Sequence, residues 1–118
     1  MVRDGEDWGF PDCYGQGGSV CAGVPSPVAV LDPHAAVSGV AILTGQLGPA
    51  IGTSAVVAEW ATGKVLRVGL TASRTSWTGT VAPFLTGLTN PMPILLDAAD
   101  GLLVGDWGSG TVYRIVTR

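Results

Sequence analysis

The 118-residue chain states one pattern twice. Val56-Val57-Ala58-Glu59-Trp60-Ala61-Thr62-Gly63-Lys64-Val65-Leu66-Arg67-Val68 returns 47 residues later as Leu103-Val104-Gly105-Asp106-Trp107-Gly108-Ser109-Gly110-Thr111-Val112-Tyr113-Arg114-Ile115. Each copy is an apolar strand, an acidic residue followed by Trp, a Gly turn, and a strand ending in Arg. A period in the forties with several short strands per unit is the signature of a propeller blade. Two blades cannot close a ring. The sequence therefore speaks first about assembly and only then about chemistry.

The strands can be placed from apolar runs and turn signals. Residues 1–24 read as an irregular arm. Pro25 and Pro27 open a short strand that ends at Leu31, and Asp32-Pro33 marks a turn. The first blade, 32–86, holds strands at about 38–44, 54–59, 64–70 and 80–85, with Thr71 to Gly79 as a polar loop. The second blade, 87–118, holds strands at about 92–97, 102–106 and 111–116, and lacks its own outer strand. No segment shows a 3.6-residue apolar period with a cap. The unmatched strand at 25–31 equals the strand missing at the other end. The expected solution is that it completes the second blade of a neighbouring chain. That covers an open sheet edge and builds a head-to-tail oligomer. The expected fold is all-β, with two blades per chain and three chains closing a six-bladed β-propeller.

Composition narrows the partners. Apolar residues make up 47% and charged residues 13%, which is apolar for a lone small domain and suits surface buried between subunits. The net charge is −3, with no basic patch, so nucleic acid is not an expected partner. No apolar run has the length of a membrane-spanning helix. Residues 1–24 carry Asp4, Glu6, Asp7 and Asp12 and no apolar core, so no signal peptide is read there. Cys13 and Cys21 are close enough to form a small disulfide loop. Free thiols remain open, and as metal ligands the pair alone lacks two partners.

Strand order brings the connections that hold His34, Ser38, Glu59, Trp60, Asn90, Asp106 and Trp107 to one end of both blades, around one mouth of the channel. Propeller ligand sites occupy such a mouth. His34 is the one histidine of the chain. In a threefold ring it becomes three imidazoles about an axis, the donor set of a catalytic zinc; other ligand contacts or a plain loop role remain open. Glu59 and Asp106 occupy equivalent positions, so a trimer presents six carboxylates. They are candidates for calcium ligands or a general base, or simply for acceptors of backbone hydrogen bonds at a Gly turn. Trp60 and Trp107 are candidates for stacking on a sugar or aromatic ligand, or for packing between blades. Ser38 and Asn90 complete the candidate ligand contacts. Asp97 and Asp100 read as turn residues. Gly105 to Gly110 joins two strands and lacks Lys, so it is not a phosphate loop. The serines have no Gly-x-Ser-x-Gly context.

The chain also resembles a family. Trp8-Gly9-Phe10-Pro11, Cys13-Tyr14-Gly15, Cys21, Pro27-Val28-Ala29, Pro33-His34-Ala35, Gly39, Phe84-Leu85-Thr86-Gly87, Asp100-Gly101-Leu102-Leu103-Val104 and Gly110-Thr111-Val112-Tyr113-Arg114-Ile115 resemble the C-terminal part of the soluble quinoprotein glucose and sorbosone dehydrogenases, which are six-bladed propellers. The match spans nearly the whole chain but about a third of a family member. It implies the Cys13–Cys21 disulfide and an extracytoplasmic parent. The family's catalytic histidine and its main quinone- and calcium-binding loops belong to earlier blades, so pyrroloquinoline quinone (PQQ) is not expected to bind this segment alone. Where sorbosone-dehydrogenase-like relatives continue Ala-Glu-His-Gly, this chain has Ala58-Glu59-Trp60-Ala61. The leading functional expectation is a self-assembling propeller segment with a small-molecule or metal site at one mouth. The alternatives are a metal-assisted hydrolase of lactonase or phosphotriesterase type at the same mouth, by analogy of fold, and an inert structural fragment.

Overall fold

The computed structural model describes residues 2–14 and 17–117. Met1, Gly15 and Gln16 of the expected arm, and Arg118 of the second blade, lie outside the described residues. Among the described residues, seven strands form two antiparallel meanders. β1 (Val37–Thr44), β2 (Thr53–Glu59), β3 (Lys64–Ala72) and β4 (Trp77–Leu85) make a sheet in the order β1-β2-β3-β4. β5 (Pro91–Leu96), β6 (Leu102–Asp106) and β7 (Thr111–Ile115) make a three-stranded sheet. Among the described residues the helical content is a single 3₁₀ turn, Ser19–Cys21. The all-β expectation therefore holds, with sheets of four and three strands.

The repeat in sequence is a repeat in register. Ala41 faces Val56 as Leu95 faces Leu103, and Val57 faces Leu66 as Val104 faces Tyr113. The turns agree too: Gly63 and Gly110 both adopt left-handed φ values, 65° and 67°, which glycine reaches without a Cβ clash. One expectation is corrected. The segment 71–79 is not all loop: Thr71 pairs with Thr78 and Ala72 with Trp77. Thr and Trp favour strands, and an exposed polar strand end looks like a loop in sequence. The turn shrinks to Ser73–Ser76, closed by the Ser73 N–H donating to the Ser76 carbonyl at 2.8 Å.

Within one chain, residues 25–31 form no strand. The segment lies against the outer strand of its own first sheet, where Gly79 N–H donates to the Val28 carbonyl at 3.0 Å.

The core sits between the sheets. Leu43, Val56 and Val65 of the first sheet join Leu102 and Val104 of the second in one buried cluster with Leu47. The inner strands approach because β1 carries Gly39. A Cβ there would lie 2.1 Å from the Met92 carbonyl oxygen. Beside it the Ser38 hydroxyl donates to the Pro91 carbonyl at 2.9 Å, tying β1 to β5.

At the opposite end from the β6–β7 turn, Asp97 behaves as the turn residue expected. Its carboxylate accepts from Ala99 N–H and Gly101 N–H, each at 2.8 Å, and pairs with Arg114 of β7. The Arg114 guanidinium, followed by the Gly101 amide, holds the Asp97 carboxyl down at about 2. A depressed carboxylate stabilises the fold above its unfolded value, near 4, and that contribution is lost as pH falls through the folded value. Thermal unfolding between pH 5 and 2 should therefore show a falling midpoint. The slope should be smaller in Asp97→Asn, which is less stable at neutral pH. Equal slopes in the two proteins would refute the assignment.

Candidate functional site

Each sheet carries the same clasp at one end. In the first, buried Glu59 at the end of β2 reaches back to the loop before β1. Its Oε1 accepts from Asp32 N–H at 3.1 Å and its Oε2 from the Thr62 hydroxyl at 2.7 Å. In the second, buried Asp106 at the end of β6 accepts from Asn90 N–H at 2.7 Å, Thr89 N–H at 2.9 Å and the Ser109 hydroxyl at 2.8 Å. The backbone repeats this: Trp60 N–H donates to the Ala36 carbonyl and Trp107 N–H to the Asn90 carbonyl. The carboxylate at each strand end thus ties a connection to a hairpin turn.

In the single chain Glu59 and Asp106 both act as hydrogen-bond acceptors. Donors, not acceptors, surround their oxygens. The Thr89 amide, with further amide and hydroxyl donors, keeps the Asp106 carboxyl below its ordinary value. Both carboxylates serve as turn acceptors, the role of binding backbone and hydroxyl donors that the sequence also offered. Among the described residues no group of three or more His, Cys, Asp or Glu side chains gathers as a metal site.

A second layer braces the first clasp. The Lys64 ammonium donates to Asp32 Oδ2 at 2.6 Å. That bond lowers the Asp32 carboxyl and raises the Lys64 ammonium relative to their usual values. The pair is part-exposed, so its net worth is small.

The remaining candidates do gather. The loop before β1, the β2–β3 turn, the loop before β5 and the β6–β7 turn meet at one end of both sheets. Asn90 Nδ2 bridges them, donating to the Trp60 carbonyl at 3.1 Å. Trp60 and Trp107 stand at matching places on the two turns and are 38% and 73% exposed. Such surface is what an indole offers a ligand or another blade. His34 is exposed on the same end and adopts a left-handed φ of 55°. Histidine, like Asn and Asp, visits this region more readily than other non-glycine residues. Ser38 is not free, because its hydroxyl is engaged with the Pro91 carbonyl.

The arm holds one feature that sequence reasoning missed, beside the disulfide it expected between Cys13 and Cys21. Around it Trp8, Phe10, Tyr14, Val24 and Pro27 line a cleft of about 510 Å³. Trp8 Nε1 is buried there and has no hydrogen-bond partner among the described residues. The signal was present as three aromatic residues within seven positions. It was unreadable because nothing in an irregular segment says which way side chains turn.

No protein-family model matches the chain, and no curated protein matches it. A solved structure does: an oxidoreductase of Thermus thermophilus, named as a glucose dehydrogenase, is similar with a TM-score of 0.69 and 19% identity. The likeness covers 88% of this chain and 28% of that one. At that identity the likeness is one of fold. This chain spans little more than a quarter of the solved protein, and it shares the fold of that part.

Proposed function

We propose that the chain is a two-blade, sugar-binding propeller segment related to sugar dehydrogenases, which acts as a closed ring of three copies. The observation that supports a site at the mouth is the pairing of Trp60 and Trp107 on equivalent turns, bridged by Asn90. An indole face suits the apolar face of a pyranose, and Asn90 offers polar groups beside it. His34 stands on the same end. The ring reading rests on the two sheets, which repeat one register and leave apolar faces exposed on both sides of the pair; three copies supply six blades. Residues 25–31 then serve as the outer strand of the preceding copy's three-stranded sheet. A quinone-dependent oxidation is not part of this reading, because the resemblance places those residues in other blades.

The test is tryptophan fluorescence during titration with D-glucose and other aldoses. A saturable change is expected, and Trp107→Ala should abolish most of it while the oligomer mass stays the same. No change with any aldose up to high millimolar concentration, in protein shown to be trimeric, overturns the sugar-binding reading.

A further inference from the structure

Because the two sheets share one register, each position in one has a counterpart in the other. The seam between them can therefore be projected outward on both sides. Ala41, Val56 and Val65 of the first sheet enter the shared core from one side; Ile94, Leu96 and Val104 of the second enter it from the other. On the second sheet the counterparts of Ala41, Val56 and Val65 are Leu95, Leu103 and Val112. On the first sheet the counterparts of Ile94 and Leu96 are Val40 and Ile42. Val65 is 0% exposed where Val112 is 69% exposed; Leu95, Val40 and Ile42 are exposed as well. The outer side of the second sheet, and the β1 edge of the first, thus match halves of the seam already present inside the chain; Val57 and Leu66, deeper on the first sheet, are already buried.

The glycines mark the same difference. The Gly63 carbonyl accepts from Leu88 N–H at 3.1 Å, and a Cβ on Gly63 would lie 2.3 Å from the Leu88 oxygen. Gly110 has the same backbone conformation and nothing within 4 Å of such a Cβ. Beside it Pro93, Gly105, Trp107 and Val112 line a shallow cleft of about 370 Å³.

We propose that the second-sheet face bearing Leu95, Leu103 and Val112 docks on the first-sheet face bearing Val40 and Ile42 of a second copy of this chain, repeating the internal seam. This rests on the ring reading above and names the surfaces that close it. The interface is head-to-tail, so it propagates until the ring closes. Its apolar area supplies the driving force. It also makes the mouth composite. Val37 faces Glu59 as Pro91 faces Asp106, so His34 is the counterpart of Leu88. His34 of the second copy then comes against Gly110, next to Trp107 of the first.

Two variants of the full chain test this. Leu95→Lys with Val112→Lys blocks one face; Val40→Lys with Ile42→Lys blocks the other. All four side chains are exposed, so each variant should keep the circular dichroism of the parent. Light scattering should give about 36 kDa for the parent and 12.0 kDa for each variant alone. Mixed together, the variants retain one good face each and should form a heterodimer of about 24 kDa that cannot close. A parent that is monomeric overturns the ring and the seam together. A trimeric parent whose folded variants stay trimeric leaves the ring standing and overturns these surfaces. Folded, monomeric variants that fail to pair on mixing also overturn the head-to-tail assignment.

Discussion

Gly39→Val should destabilise the protein by at least about 3 kcal/mol, the upper end of what overpacking costs. The first atom of the new side chain would lie 2.1 Å from the Met92 carbonyl oxygen, with the Ile94 amide nitrogen at 3.2 Å. Both are backbone atoms of β5, which is held to β6 on either side of them by the Pro91 and Ile94 pairings. Either β1 or β5 must withdraw, and the Ser38–Pro91 bond beside them then breaks. Gly69→Ala is the matched control. Its Cβ would meet only the Arg67 side chain at 3.5 Å and the Thr80 oxygen at 3.8 Å. It should be neutral or mildly stabilising, because the unfolded chain loses freedom. Urea unfolding followed by tryptophan fluorescence compares the three proteins. Equal midpoints for Gly39→Val and the parent would disprove the close approach of the sheets.

Glu59→Ala should cost about 2–4 kcal/mol, from a cavity and from donors left without acceptors. Its side chain is fully buried, and it alone serves Asp32 N–H and the Thr62 hydroxyl in the hydrogen bonds described. Glu59→Gln retains an amide oxygen for one donor and should cost less. Glu59→Asp is one methylene short of the Asp32 amide and should resemble Ala more than Gln. Chemical denaturation ranks the series. A role in chemistry rather than in the clasp would show as the reverse pattern, with stability unchanged in Glu59→Ala.

Much of the fold was legible because it repeats. Two copies of an acid-Trp-turn hairpin, 47 residues apart, impose the same register twice, and a strand period with Gly turns admits few architectures. The Cys13–Cys21 disulfide was one of the states open to two nearby cysteines, beside free thiols and metal ligation, and the one the family resemblance implies. The carboxylates were the harder case. Glu59 and Asp106 look alike as candidate ligands and as turn acceptors, and only the loops folding back on them supply the deciding donors. Those loops differ in length, and each carboxylate reaches a different position: Asp32 in one clasp, Thr89 and Asn90 in the other.

What the sequence determined by itself is therefore local and periodic: strand identity, hairpin turns and the blade as a unit, all set by side-chain alternation and backbone preference within a few residues. Tertiary structure alone decided which face of each strand became seam, which glycine met a neighbour and which stayed open, and how the arm folds its aromatics into a cleft. Those depend on contacts between residues far apart in the chain. Val65 and Val112 are the same residue type in the same motif, and only the presence of a second sheet over one of them separates core from surface.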